Sequence, residues 1–275
     1  MAASLFSEAE IERYSRHILL PEVGGAGQRK LLASRAFVVG AGGLGSPALL
    51  YLAAAGVGTL GLADGDAVEL SNLHRQIIHT TSAIGRNKAL SAEAAIRALN
   101  PDCEVRPVAT RLTAQNVRAA LRGYDVVLDG SDNFPTRFVV ADACWLEGIP
   151  LVSAAVIAFE GQLMTVLPGE ASPCYRCFLP EPPPPGLVPT CQEAGVLGTV
   201  AGVMGTLQAT EAVKLLLGVG DLLSHHVLVY DALEGSFRVA DRVADPGCPL
   251  CGEEPSITEP ADDPQASCSA GSCGS

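Results

Sequence analysis

Residues 36–64 read AFVVGAGGLGSPALLYLAAAGVGTLGLAD. An apolar, β-branched run, Phe37 to Val39, leads into Gly40-Ala41-Gly42-Gly43-Leu44-Gly45. A helix-length stretch of small residues follows, then a second apolar run that ends on Asp64. Strand, glycine turn, helix, strand and terminal acid, in that order, form the pattern of a nucleotide-binding βαβ unit. Gly40, Gly42, Gly43 and Gly45 keep the turn tight and let the backbone come close to a phosphate. The helix beyond them offers free N–H groups and the positive end of its dipole. The motif by itself specifies a nucleotide, but neither which one nor for what reaction.

Composition narrows the choice. The chain has 275 residues, 48% of them hydrophobic, enough for one large α/β domain or two small ones. A net charge of −12 argues against a nucleic-acid-binding surface, since polyanions are repelled. Residues 36–63 carry no charge and are long enough to be read as a membrane span. The glycine turn and Pro47 interrupt them, and the apolar pattern divides into strand-length and helix-length pieces, so no membrane segment is expected. The first residues, MAASLFSEAEIER, lack a basic start and a long apolar run, so no signal peptide is expected and a cytoplasmic location is the default. Nine cysteines, four of them in two CxxC pairs, then point to metal or sulfur chemistry rather than to disulfides.

Outward from the glycine turn, residues 7–20 predict a short helix with Ser7 and Glu10 as a capping box, ended by Pro21 and a glycine-rich stretch to Gly27. After Asp64 comes a long connection of little periodicity, dense in Asp, Asn, Arg, His and Lys in a chain only 17% charged. Such connections are usually functional or disordered. Helices are predicted at 87–99, 113–122 and 135–147, and strands at 104–109, 124–128 and 149–155. This alternation predicts a mostly parallel, Rossmann-like sheet with helices on both faces. Asp64 and Asp132 both fall at carboxyl ends of strands, where ligands of such sheets bind. From Phe159 the pattern changes to an antiparallel strand, a CxxC pair, a proline run, a long Gly- and Ala-rich helix at about 195–217, two more strands and a second CxxC pair. His225-His226 opens one of those strands. Residues 253–275 are polar and rich in Pro, Ser and Gly, the composition of a disordered tail.

Several residues carry candidate chemistry. Cys174, Cys177, Cys248 and Cys251 form two CxxC pairs separated by 70 residues. Four thiolates suit one tetrahedral zinc with no open position, hence a structural site; the alternative is two unrelated redox pairs. Arg75 and Lys88 share the charged connection with Ser71, Asn72 and Gln76, where cations could neutralise a triphosphate rather than simply face solvent. Asp132 suits Mg²⁺ on phosphate oxygens, and equally suits a helix cap. Cys191, at the start of the long helix, is either an activated thiol or a small semi-buried hydrophobe. Cys103 and Cys144 read as hydrophobes, and Arg16 on its own reads as a surface cation.

Taken together, RYSRHILLPEVG, VVGAGGLGSPALLYLAAAGVG, LADGDAVELSNLHRQIIH, GRNKA, LDGSDN, PCYRC, TCQEAGV and PGCPLCG resemble the bacterial adenylyltransferases that activate ubiquitin-like sulfur carriers. These are the molybdopterin-synthase and thiazole-synthesis (MoeB/ThiF/HesA-type) enzymes, relatives of ubiquitin-activating enzymes. The resemblance covers residues 7–252, with the proline-rich stretch before Thr190 and the tail as departures from it. It implies one adenylation domain over 1–252, with a Rossmann-like core at about 34–158 and an antiparallel, zinc-bearing part at about 159–252. It further implies that Gly43 and its turn hold ATP, that Asp64 binds the ribose, and that Ser71 to Gln76 and Lys88 contact adenosine or phosphates. Asp132 with Asn133 would hold Mg²⁺, the four CxxC cysteines zinc, and Cys191 a covalent sulfur or thioester link. Arg16 would reach across a homodimer into the partner's site.

The implied reaction is attack of the carrier's C-terminal glycine carboxylate on the α-phosphorus of ATP. A sulfur from a separate sulfurtransferase, or Cys191, then attacks the acyl-adenylate. A carboxylate is already a nucleophile, so alignment and charge neutralisation are what such a site must supply. Two other classes compete. An NAD-dependent oxidoreductase shares the glycine turn but finds no hydride-transfer acid or base here, and a non-enzymatic zinc or redox interaction module leaves the turn, Lys88 and Asp132 without use.

Overall fold

The computed structural model describes residues 6–169, 172–184, 187 and 191–262. Among them the elements are, in chain order, α1 (Glu8–Ile18), α2 (Gly24–Ala33), β1 (Arg35–Val39), α3 (Gly45–Ala55), β2 (Thr59–Ala63), α4 (Lys88–Leu99), β3 (Glu104–Val108), α5 (Val117–Leu121) and β4 (Val126–Asp129). They continue with α6 (Phe134–Leu146), β5 (Leu151–Ile157), β6 (Glu160–Val166), α7 (Tyr175–Phe178), α8 (Cys191–Ala194), α9 (Gly198–Leu217), β7 (His226–Asp231) and β8 (Ser236–Asp241).

The eight strands form a single sheet in the order β3-β2-β1-β4-β5-β6-β7-β8. The first five run parallel, and β6 to β8 add on antiparallel. Alternate residues of β1 feed opposite faces. Ala36 and Val38 join a core with α3, α4 and α9, while Phe37 and Val39 join a core with α5, α6 and the paired cysteines. A strand covered on both faces reads as an unbroken apolar run. The winding direction reverses between β1 and β4, which pair in parallel with Val39 opposite Asp129. Beyond that pair lies the crevice where doubly wound sheets place their ligands.

The Ser7–Glu10 capping box forms as expected, with the Ser7 side chain accepting from Glu10 N at 3.2 Å and Glu10 Oε2 accepting from Ser7 N at 2.7 Å. The glycine-rich stretch after Pro21 departs from expectation, because Gly24–Ala33 is helical. Tertiary packing overrides its low propensity: Leu31 and Gln28 are fully buried, and Gln28 Nε2 donates to the Ala55 carbonyl at 2.9 Å. The helix expected at 113–122 keeps only Val117–Leu121, since Asn116 accepts from Thr113 N and holds residues 113–116 as a turn. The long helix expected at about 195–217 forms as α9 from Gly198, and a separate single turn, α8, precedes it. α9 is long and apolar enough to cross a membrane by length and composition alone, yet it packs along α3, β5 and β6. The first residues of the expected tail lie against the fold: Ile257 packs on the second core, Pro260 is buried, and Asp262 Oδ1 accepts from Ala114 N at 2.8 Å.

Two glycines of the turn answer to geometry rather than to a ligand. Gly40 has φ +86°, and a Cβ on Gly45 would sit 1.8 Å from the Gly40 carbonyl oxygen. Gly42 differs, because a Cβ there would meet nothing closer than 3.6 Å. Gly45→Ala is expected to destabilise the fold by about 3 kcal/mol or more, as overpacking against fixed backbone. Gly42→Ala should change stability by no more than about 0.5 kcal/mol. Thermal and urea unfolding of both variants check the contrast.

Candidate functional site

The end of β1 is held by its neighbours. Gly40 N donates to the Ala63 carbonyl at 2.8 Å and Gly130 N to the Val39 carbonyl at 2.9 Å, so the glycine turn and the Gly130–Asn133 loop stand side by side. Between them opens a cleft lined by Gly40, Gly42, Gly43, Asp64, Arg75, Gln76, Lys88, Asp132 and Asn133, with Asp66 and Arg111 completing the polar wall. Leu44, Leu112, Val156, Val196 and Ala201 form the apolar wall. α3 has no side-chain cap at its N-terminus; Ser46 N donates to the Gly42 carbonyl at 2.9 Å and Pro47 carries no N–H, so the backbone that lines the cleft is that of the turn, at Gly40, Gly42 and Gly43.

Asp64 braces the turn. One carboxylate oxygen accepts from Ala41 N and the other from Asp66 N, both at 2.9 Å. Burial pushes its carboxyl above the usual range, against the pull of the Asp66 N–H and of Lys88. Asn87 caps α4 by accepting from Leu90 N at 3.2 Å, which places Lys88 at the first helical position. The Lys88 ammonium is buried and lies 3.4 Å from Asp66. Arg111 meets the other oxygen of Asp66 at 3.0 Å. Burial works against ionisation of Asp66, but Arg111 and Lys88 hold its carboxyl below the ordinary range.

The charged connection supplies the facing side. Ser71 and Asn72 do not line the cleft. They build a single 3₁₀ turn, and the Ser71 carbonyl accepts from Arg75 Nη1 at 3.0 Å. The Arg75 stem lies over Gly43, whose Cβ position is 3.7 Å from Arg75 Cγ. Gln76 is buried, and its Oε1 has no hydrogen-bond partner among the described residues. A buried carbonyl oxygen left unpaired is costly, and a ligand hydroxyl or amine in the cleft would satisfy it.

Asp132 and Asn133 separate into two roles. Asn133 is the cap of α6, accepting from Thr136 N at 3.0 Å, so Asp132 is released from capping and stays exposed at the cleft. Behind them the loop is fixed by Asp129, which accepts from Ser131 N and Oγ at 3.0 and 2.7 Å and pairs with buried Arg137 at 3.6 Å. An exposed carboxylate opposite two cations and a glycine turn is the donor set a magnesium–triphosphate complex requires.

Arg16 sits in the last turn of α1, exposed and outside the cleft lining. Cys191 opens the one-turn α8 rather than the long helix α9. Cys103 and Cys144 are buried as expected, with burial raising the Cys103 thiol to about 11 and the Cys144 thiol well above its ordinary value. Cys268 and Cys273 lie outside the described residues.

Sequence reading missed Asp66, Arg111 and His79. The rule that strand carboxyl ends carry ligand contacts, extended to β3, would have drawn notice to Arg111. His79 is buried, with Nε2 2.9 Å from the Ala41 carbonyl and Nδ1 3.0 Å from Ser91 Oγ. A carbonyl only accepts, so Nε2 carries the proton and Nδ1 accepts from the serine hydroxyl. Burial lowers the imidazole below its ordinary value, which keeps it neutral in that tautomer. A lone His without ligand spacing gave no signal of this role.

The four CxxC cysteines converge, with all Sγ atoms within 4.8 Å of one another. Cys174 lies 3.5 Å from Cys248 and 3.8 Å from Cys177, and Cys177 lies 3.3 Å from Cys251. Zinc–sulfur bonds of about 2.3 Å in a tetrahedron imply sulfur spacings of about 3.8 Å, so the donor set fits one zinc ion. Asp245 N donates to Cys177 Sγ at 3.4 Å, and burial pushes the Cys251 thiol up to about 12 in the absence of a cation. Arg176 ties this knuckle to α6 through two 2.8 Å contacts with Asp142.

Known proteins resemble this chain in sequence and in fold. The chain is 51% identical over 261 residues, 94% of its own length and 96% of the other's, to a sulfur carrier protein adenylyltransferase of Thermus thermophilus. It is 52% identical over 244 residues to the SAMP-activating enzyme E1 of Haloferax volcanii, covering 89% of this chain and 90% of that one. Among solved structures, E. coli MccB with ATP superposes with a TM-score of 0.75 at 21% identity over 87% of this chain and 74% of that one, a likeness of fold. The ThiF family matches residues 14–250, and the chain belongs to it.

Proposed function

We propose that this chain adenylylates the C-terminal glycine of a ubiquitin-like sulfur carrier protein at the expense of ATP, preparing it for conversion to a thiocarboxylate. It is a nucleotidyltransferase, as half-identical relatives are named adenylyltransferases. The observation that carries the reading is the cleft itself, which Arg75, Lys88 and the exposed carboxylate of Asp132 line together with the glycine turn. A nicotinamide cofactor would need neither that many cations nor a free carboxylate at its phosphates.

In this reading the α3 N-terminus and Gly42 and Gly43 hold the triphosphate, Asp64 takes the ribose, and Gln76 Oε1 accepts from the nucleoside. Arg75 and Lys88 neutralise charge as the carrier's carboxylate attacks the α-phosphorus and pyrophosphate departs. Lys88 leaves Asp66 to do so, and Arg111 keeps Asp66 paired when it does. Asp132 would hold magnesium, which when bound supplies positive charge at the phosphates. A homodimer brings Arg16 of one protomer to the other's phosphates. Sulfur comes from a separate sulfurtransferase and attacks the acyl-adenylate directly or by way of Cys191, releasing AMP. The reaction is cytoplasmic and involves neither nucleic acid nor membrane. The zinc knuckle supports the fold around the cleft, its four thiolates leaving no position for substrate.

Three outcomes are expected. Lys88→Ala lowers carrier-dependent ATP–pyrophosphate exchange by about 10²- to 10³-fold, and full activity in this variant refutes the role of Lys88. Mixing inactive Arg16→Ala and Lys88→Ala subunits restores about a quarter of wild-type exchange, because half the dimers are mixed and each then holds one complete site; no recovery rules out action in trans. Metal analysis of protein purified without chelator finds one zinc per chain, and stripping it lowers the melting temperature, since structural zinc contributes folding energy.

A further inference from the structure

Arg242 follows β8 and is buried, yet among the described residues it forms no ion pair with a carboxylate. Its Nη2 sits among three carbonyls, those of Thr165 at 2.9 Å, Pro173 at 3.2 Å and Ser224 at 2.8 Å. Nη1 lies 2.9 Å from the Met164 sulfur, and Nε has no partner among the described residues. Carbonyls satisfy donors but carry no net charge. A guanidinium taken out of water with only dipoles around it is an expensive arrangement, and a buried charge persists when another charge answers it.

The charge that answers lies in the cysteine knuckle. Pro173, whose carbonyl receives Arg242, directly precedes Cys174. Burial pulls the guanidinium down to about 10, and Cys174 and Cys177 are the charged partners that oppose this. Four thiolates around one divalent zinc leave a net charge of two minus, itself buried. The knuckle's other cation, Arg176, is committed to Asp142 through two 2.8 Å contacts and so contributes no net charge. We propose that Arg242 is the built-in counter-cation of a zinc tetrathiolate at Cys174, Cys177, Cys248 and Cys251, and through its carbonyl contacts joins that centre to β6 and to the loop before β7. This rests on the zinc reading above. It makes Arg242 a positioning residue outside the ligand set, and it makes metal loading the condition under which this buried cation is neutralised.

Charge and hydrogen bonding separate by substitution in the full-length chain. Arg242→Gln keeps a donor to the carbonyls and removes the charge, whereas Arg242→Lys keeps the charge and loses the planar fork. Zinc affinity is read by competition with a chromogenic chelator, and unfolding by thermal melting of the zinc-loaded and stripped forms. The expected result is zinc binding about 10- to 100-fold weaker in Arg242→Gln, with Arg242→Lys closer to wild type. The stripped Gln form should melt no lower than stripped wild type, while its loaded form melts lower. Unchanged zinc affinity in Arg242→Gln overturns the proposal, as does equal weakening in both variants, which would make the residue a carbonyl clamp. If Arg242→Gln yields no folded protein, zinc affinity of Arg242→Lys close to wild type supports the charge role and its loss overturns it. Wild-type protein without stoichiometric zinc defeats the zinc reading first and the counter-cation with it.

Discussion

The peptide groups of Ala41 are held from both sides. Its N–H is given to Asp64 at the end of β2, and its carbonyl receives Nε2–H from His79. The cleft depends on this clamp, because Ala41 precedes the two glycines, Gly42 and Gly43, that line it. His79 N also donates to the Gln76 carbonyl, and Nδ1 accepts from Ser91, one turn into the helix that Lys88 begins. One neutral imidazole therefore fixes the turn, the segment bearing Arg75 and Gln76, and the helix bearing Lys88 relative to one another. Pre-organisation of this kind spares a site the cost of arranging its charges when substrate arrives.

The two halves of the sheet divide the work. The parallel half supplies the strand ends that gather Asp64, Lys88 and Asp132. The antiparallel half returns the chain so that the end of β5, paired with β6, and the segment before α9 complete the apolar wall with Val156 and Val196. Ala158, at φ +48°, makes the tight corner between β5 and β6, and its carbonyl receives Leu197 N at 3.0 Å. That corner is where the second half is fastened to the cleft. The cysteine knuckle stands on the other core, with Cys174 and Cys248 buried beside α6.

The βαβ unit was legible because its signals agree: apolar runs, glycines and Asp64 all point to one arrangement. The four-cysteine cluster was legible for the same reason, since two CxxC pairs have few other uses in such a chain. What escaped did so for identifiable reasons. α2 is glycine-rich, and only the burial of Gln28 and Leu31 makes it helical. Asp132 and Asn133 are equally good caps on paper, and the choice of Asn133 depends on the approach of Thr136 N. On sequence Cys191 stands at the start of a helix of about 195–217, but Gly195, at φ +76°, lies between α8 and α9 and parts them. His79 and Arg242 act through partners 38 and 77 residues away along the chain, separations no local pattern encodes.

α9 covers α3 so closely that Gly205 admits no side chain, a Cβ there falling 2.2 Å from the Leu44 carbonyl. The helix that carries the glycine turn thus receives its lid from a segment about 140 residues later in the chain. During synthesis at 5–20 residues per second that interval is on the order of 10–30 s. Through it, Leu44 and Pro47, against which Gly205 packs, must be shielded by something other than their native partner. The nucleotide half cannot mature on the ribosome as an independent unit, and its completion waits on the chain's last third.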